Sequence, residues 1–200
     1  MKIDGGIGVD SGFDGISEKS REQEEIGYDG LWVPETNHDP FTMLPLMAQA
    51  TEKVELGTSI VVGFARNPMD LAYSANDIQL MSKGRFTLGL GSQIKAHITR
   101  RFSMEWSKPA ARMREMILAT KAIWNSWNTG EKLDFRGDFY QHTLMTPFFH
   151  PGENPYGAPR MALAGVGPLM TEVTGETCDV FLAHGFTTEK YLREETLPAL

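Results

Sequence analysis

Five short segments of this 200-residue chain place reactive or ligand-accepting residues just after an apolar run has ended: LWVPETNHDP, TSIVVGFARNP, LGLGSQIKAH, ALAGVGPLM and FLAHGF. The first carries Glu35 and His38, a carboxylate and an imidazole in the same turn, the two side-chain types that most often exchange protons near neutral pH. The third carries Gly91 and Ser92, then Lys95 and His97. Lys95, with Arg100 and Arg101, opens a window from 95 to 114 in which six basic residues meet one acid, Glu105, a charge balance that attracts anions. In the fourth, Gly165, Val166 and Gly167 precede Pro168. Backbone N–H groups there are unobstructed by side chains and stand at the positive end of an expected helix, so they can hold a phosphate. Each feature has a plainer alternative: a glycine that only lets the chain turn, a solvated basic face, or a strand-end ion pair at Glu35 and His38.

Several chemistries are excluded by what is missing. A dinucleotide fingerprint in LGLGSQ would need glycine at Ile94, and there is no GxxxxGK[ST] phosphate loop. No GxSxG elbow occurs, which argues against a serine hydrolase of that type. His38, His97, His142, His150 and His184 form no HxH or HxxxH pair and Cys178 stands alone, so no metal site is expected, although three of the histidines fall near strand ends. Phe64, Phe102 and Trp106 lie outside strong periodicity, and are expected to line a pocket for a flat apolar ring.

These segments need elements to hold them. Short apolar runs predict strands at 3–9, 30–34, 54–62, 86–91, 160–164 and 180–183. Between them, helical periodicity predicts helices at 16–26, 41–52, 68–82, 109–127, 168–177 and 188–200. The helix from 109 shows Met113, Met116, Ile117, Thr120, Ile123, Trp124 and Trp127 at three- to four-residue spacing, with Pro109 in its first turn and Ser107 as an expected cap. Gly27 and Gly84 suit left-handed positions after helices. Regular alternation of strand and helix means an α/β protein with a mostly parallel sheet, either open and doubly wound or a (β/α)8 barrel; ligands bind beyond the carboxyl ends of the strands in both. Residues 128–159 interrupt the pattern with a hairpin about Gly137 and a long loop, PFFHPGENPYGAP, expected to be functional or lid-like. Six βα units in a single domain over 1–200 lead to the expectation of an eight-unit TIM barrel truncated after the sixth.

The composition agrees with a soluble globular chain: 41% hydrophobic and 22% charged residues, with a formal net charge of −7. Such an acidic balance speaks against a nucleic-acid partner. A single cysteine suits a reducing compartment, and neither an export signal nor a membrane-spanning run is visible, so a cytoplasmic location with no membrane partner is expected.

LWVPETNHDPF, LGTSIVVGFARNPMDLA, GRFTLGLGSQIKAHITRRF, the W-S-x-P-x-x-R-M-R-E pattern and ALAGVGP together resemble the bacterial luciferase-like monooxygenase superfamily, and within it the branch of oxidoreductases that uses the deazaflavin coenzyme F420. The resemblance covers nearly the whole chain and implies a (β/α)8 barrel, a small-molecule substrate and a homodimer in the full-length form. It implies a non-proline cis peptide at Ser59–Ile60 propping the cofactor ring, with Val62 against that ring. Gly91 and Ser92 correspond to the part approaching the cofactor's edge, and Gly165, Val166 and Gly167 to the loop whose amides hold its phosphate. Glu35 and His38 are the proton-handling candidates by position; Lys95 and His97 are substrate or anion contacts. The family's sugar-phosphate dehydrogenases place a carboxylate near Ile94 and a histidine near Thr36; neither is present here, so that substrate is not carried over. The resemblance leaves open an FMN-dependent monooxygenase and a non-catalytic, binding-only barrel fragment.

Overall fold

The computed structural model describes residues 1–7 and 12–200. In chain order its main elements are β1 (Asp4–Gly6), α1 (Ile16–Ile26), β2 (Gly30–Val33), α2 (Pro40–Ala50), β3 (Glu55–Thr58), β4 (Val61–Val62), α3 (Pro68–Met81), β5 (Phe86–Gly91), α4 (Pro109–Thr129), β6 (Phe135–Arg136), β7 (Gln141–His142), β8 (Arg160–Ala164), α5 (Pro168–Thr177) and β9 (Val180–Leu182). Among the described residues, one parallel sheet runs β1–β2–β3–β5–β8–β9, and β4 joins it beside β5. Helices follow the strands, giving six βα units of the α/β barrel type. The last two residues of the strand expected at 3–9 lie outside the described residues.

Local chemistry explains most boundaries. Asp39 caps α2 by accepting from Phe41 N at 3.0 Å, and Asn67 caps α3 by accepting from Asp70 N at 3.0 Å; proline follows each cap at the first helical position. Gly27 ends α1 with φ +105, and Gly84 follows α3 with φ +88, where a Cβ would be strained. Ser107 is not the cap of α4: Lys108 occupies that position with φ +37, and no side chain caps the first turn. The α4 face from Met113 to Trp127 is buried as its spacing predicts, and Trp124 Nε1 donates to Ala72 O on α3 at 3.1 Å. Each such fully buried apolar side chain contributes about 1.5–3 kcal/mol relative to exposure.

The run expected as one strand over 54–62 is two. β3 pairs with β5 through Leu56–Phe86 and Gly57–Thr87, and β4 pairs with it further on through Val61–Leu90 and Val62–Gly91. The Ser59–Ile60 peptide between them is cis. Thr58 Oγ1 clamps this junction to β5, donating to Gly89 O at 2.8 Å and accepting from Gly89 N at 2.7 Å.

The 128–159 segment forms the expected hairpin, β6 against β7. It is fastened to the helices. Glu115 on α4 accepts from the N–H groups of Asp138, Phe139 and Tyr140 at 2.6–2.9 Å, Arg112 Nε donates to the Tyr140 hydroxyl at 3.0 Å, and Asn154 Nδ2 donates to Asn76 Oδ1 on α3 at 2.9 Å. The final segment is helical in three pieces, Glu189–Tyr191, a wide turn at Leu192–Thr196, and Leu197–Ala199, where one regular helix was expected. Among the described residues, no helix is long and apolar enough to cross a membrane.

Candidate functional site

The loop after β2 carries the charged residues that sequence reasoning favoured, and the fold uses them internally. Glu35 N donates to Ile60 O at 3.0 Å, and the Glu35 carboxylate accepts from Val62 N at 2.9 Å. Arg66, just past β4, closes the knot: its Nη2 lies 2.9 Å from Asp39 Oδ2 and 3.4 Å from Glu35 Oε2, and the guanidinium sits 5.1 Å over the Phe41 ring. Burial alone would lower the Arg66 pKa, but the Asp39 and Glu35 carboxylates outweigh it and raise it. With its side chain only 9% exposed, Glu35 braces the ends of β2 and β4. His38 turns elsewhere, packing edge-on against Phe13 with ring centroids 4.9 Å apart, in a small hollow shared with Val33, Pro34 and Met43. The structure therefore does not bring Glu35 and His38 together.

A larger opening lies beyond the carboxyl ends of β4, β5, β8 and β9. This cleft, about 530 Å³, is lined by Ser59, Ile60, Gly91, Ser92, Gln93, Ile94, Ala164, Gly165, Val166, Leu182, Ala183, His184 and Gly185. Six of the expected cofactor positions thus meet in one place: Ser59, Ile60, Gly91, Ser92, Gly165 and Val166. Gly167 caps α5 immediately beyond them with φ −102 and ψ 160. Val62 does not reach the cleft; it is fully buried, because β4 turns it into the core. Lys95 and His97 are exposed beside the short wide helical turn His97–Arg101, and line none of these openings. Phe64 is not a pocket residue: it is fully buried, and Trp106 packs edge-on against it at 5.6 Å. No residue of the 128–159 segment lines the cleft, since its anchors to α3 and α4 hold it on the helical layer.

Sequence reasoning missed His184 and Gly185 as site residues. The signal was present, because FLAHGF ends a strand just as LGLGS and ALAGVG do, but only those two matched positions with family roles. Among the residues lining the cleft, His184 is the sole titratable side chain. Gln93 also contributes, holding the left-handed region at φ +58 while its Oε1 accepts from Ile94 N at 2.9 Å. Among the described residues, no group of three or more His, Cys, Asp or Glu side chains is placed to hold a metal ion.

The lining fits a flat ring carrying a phosphate tail. Small side chains and glycines leave the walls close to bare backbone: a Cβ added at Gly91 would come within 2.8 Å of Ile60, and one at Gly165 within 3.3 Å of the Met170 backbone. A Cβ at Gly167 would meet nothing within 4 Å, so the start of α5 is open on that side. No lysine or arginine lines the cleft, so an anionic tail there would rely on backbone N–H groups from 165 onward.

The profile of a family described as luciferase-like monooxygenase matches residues 1–200. An uncharacterized protein of Mycobacterium tuberculosis is 51% identical over 177 residues, which are 88% of this chain and 52% of that protein. An F420-dependent glucose-6-phosphate dehydrogenase of Amycolatopsis mediterranei is 28% identical over 199 residues, covering 92% of this chain and 57% of the relative. An F420-dependent secondary alcohol dehydrogenase, solved with an F420-acetone adduct, superposes on all of this chain and 63% of its own, with a TM-score of 0.82 at 19% identity, and so shows the shared fold. The chain spans about half the length of the curated relatives it matches. With an unbroken match from end to end, a barrel-type sheet and a cleft at its carboxyl rim, the chain belongs to the luciferase-like monooxygenase family.

Proposed function

We propose that this chain provides the cofactor cleft of an oxidoreductase that transfers hydride between the deazaflavin coenzyme F420 and a small organic substrate. The observation that carries this reading is the meeting of Ser59–Ile60, Gly91–Ser92 and Gly165–Val166 around one opening at the carboxyl rim. The F420-dependent relative from Amycolatopsis supports the choice of deazaflavin. When bound, the cofactor supplies two-electron hydride chemistry. The chain's own part is to present Ile60 and Gly91 to the ring and to offer N–H groups of the 165–169 segment to the phosphate. Lys95 and His97, exposed near the rim, assist an anionic ligand by steering it.

The family's description as a monooxygenase favours a second reading, oxygen activation, with FMN as the cofactor that the sequence resemblance leaves open. Titrating the protein with F420 and, separately, with FMN while following fluorescence quenching separates the two. Saturable binding of F420 with weaker or no binding of FMN is expected. Saturable FMN binding with none for F420 would replace the first reading by the second.

A further inference from the structure

Gln93, just past the end of β5, holds φ +58. Glycine adopts that left-handed conformation freely and asparagine or aspartate tolerates it, but a glutamine rarely takes it. The residue lines the cleft between Ser92 and Ile94. We propose that Gln93 is a specificity-determining residue: its carboxamide N–H groups hold a ring carbonyl oxygen of the cofactor and fix how the ring lies against Ile60 and Gly91. The inference rests on the cofactor reading for the ring, and deepens it by naming the side chain that orients it.

Three observations carry it. First, the carboxamide is oriented. The Ile94 N–H can only donate, so the atom facing it at 2.9 Å is Oε1, and Nε2 lies on the other side of the planar amide. Its two N–H groups have no partner among the described residues. Second, the neighbouring hydroxyl is engaged. Ser92 Oγ donates to the Gln93 carbonyl at 3.2 Å, so at this strand end the carboxamide is the side-chain donor left for a ligand. Third, its place selects the ring. Gln93 stands two residues beyond Gly91, whereas the amides offered to the phosphate precede α5, at the end of the next strand, β8.

A purely conformational role would be served better by another residue. Glycine at this position would carry none of the strain that a Cβ brings to the left-handed region. The only side-chain hydrogen bond of Gln93 among the described residues is to the adjacent Ile94 amide, so the fold gains little from glutamine here. A ligand gains a neutral donor of fixed orientation, which suits a neutral carbonyl oxygen on the edge of a flat ring.

The test compares Gln93→Gly and Gln93→Asn with wild type for melting temperature and, by fluorescence quenching, for binding of F420 and of FMN, which carries the same ring carbonyls. Gln93→Gly should keep or slightly raise the melting temperature while weakening F420 about fivefold, a split that a structural role would not produce. Gln93→Asn, which tolerates the left-handed region and keeps an N–H donor on a shorter stem, should recover part of that loss. F420 bound by Gln93→Gly as tightly as by wild type, or affinity that falls only in step with melting temperature, overturns the inference. Should the wild-type chain bind FMN and not F420, the deazaflavin reading fails. FMN affinity weakened by Gln93→Gly at unchanged stability then still sustains the role of Gln93, and FMN affinity indifferent to it overturns that role. Saturable binding of neither cofactor overturns both.

Discussion

Around Glu35, Asp39 and Arg66 the rim of the sheet is charged, largely buried and tied up in its own hydrogen bonds, whereas around Gly165, Val166 and His184 it is uncharged, open and built from backbone and small side chains. The first region holds the residue types most associated with catalysis, yet its carboxylates are engaged in joining β2, α2 and β4. The second holds almost no reactive chemistry, yet four strand ends leave space there. Burial turns a carboxylate into a structural part once a cation and an N–H have claimed it. At this rim, open space and unobstructed backbone, rather than reactive residue types, mark the proposed site.

Breaking the supporting side should cost the most. A Cβ at Gly89 would overlap the Thr58 carbonyl oxygen, a backbone atom that cannot swing aside, and would disturb both hydrogen bonds of the Thr58 clamp. Gly89→Ala should therefore lose about 3 kcal/mol or more in urea unfolding, or prevent folding altogether. Glu35→Ala comes next. It strips Arg66 of one carboxylate and leaves Val62 N unpaired while Asp39 still holds the guanidinium, so a loss of about 2–3 kcal/mol is expected by the same measurement. A change below about 0.5 kcal/mol would mean that the knot is not structural and would return Glu35 to the catalytic candidates.

The open side should respond oppositely. Gly167 has extended backbone that valine adopts freely, and nothing lies within 4 Å of an added Cβ. Gly167→Val should leave the melting temperature nearly unchanged but weaken F420 about tenfold by blocking approach to the α5 amides. Gly165→Val is less informative, because Met170 lies against that position and the substitution disturbs α5 as well. Equal losses of stability and affinity in Gly167→Val would make this side structural too.

The smallest effect concerns pH, away from the rim. Burial alone raises the Glu24 carboxyl pKa, but N–H donors from Val54, Glu52 and Lys53 and the nearby Arg85 lower it on balance. A carboxyl depressed on folding stabilises the protein above its unfolded pKa, near about 4.3 for glutamate, and loses that contribution as pH falls through the folded value. Glu24→Gln should thus be modestly less stable than wild type at neutral pH, and the difference should fade in acid. A difference independent of pH would assign the effect to packing alone.

Much of this architecture is written locally. Both ends of α1, β5, β8 and α5 fall where caps, glycines and apolar runs place them, because those signals act within a few residues. The division of 54–62 into β3 and β4 is not legible from propensity, since TSIVV favours a strand throughout and the break reflects the peptide between Ser59 and Ile60. The resemblance anticipated that bond. The fate of Glu35 depends on Arg66, 31 residues further along, a pairing that only the folded chain reveals. His184 was visible at a strand end, but its place in the cleft beside Val166 appears only once β8 and β9 are paired.

The most direct test of the central claim is a crystal structure of the protein bound to F420. The account predicts the deazaflavin ring against Ile60 and Gly91, with its phosphate at the amides following Gly165. Cofactor seated instead in the hollow around His38, or bound with its phosphate away from the start of α5, would contradict it.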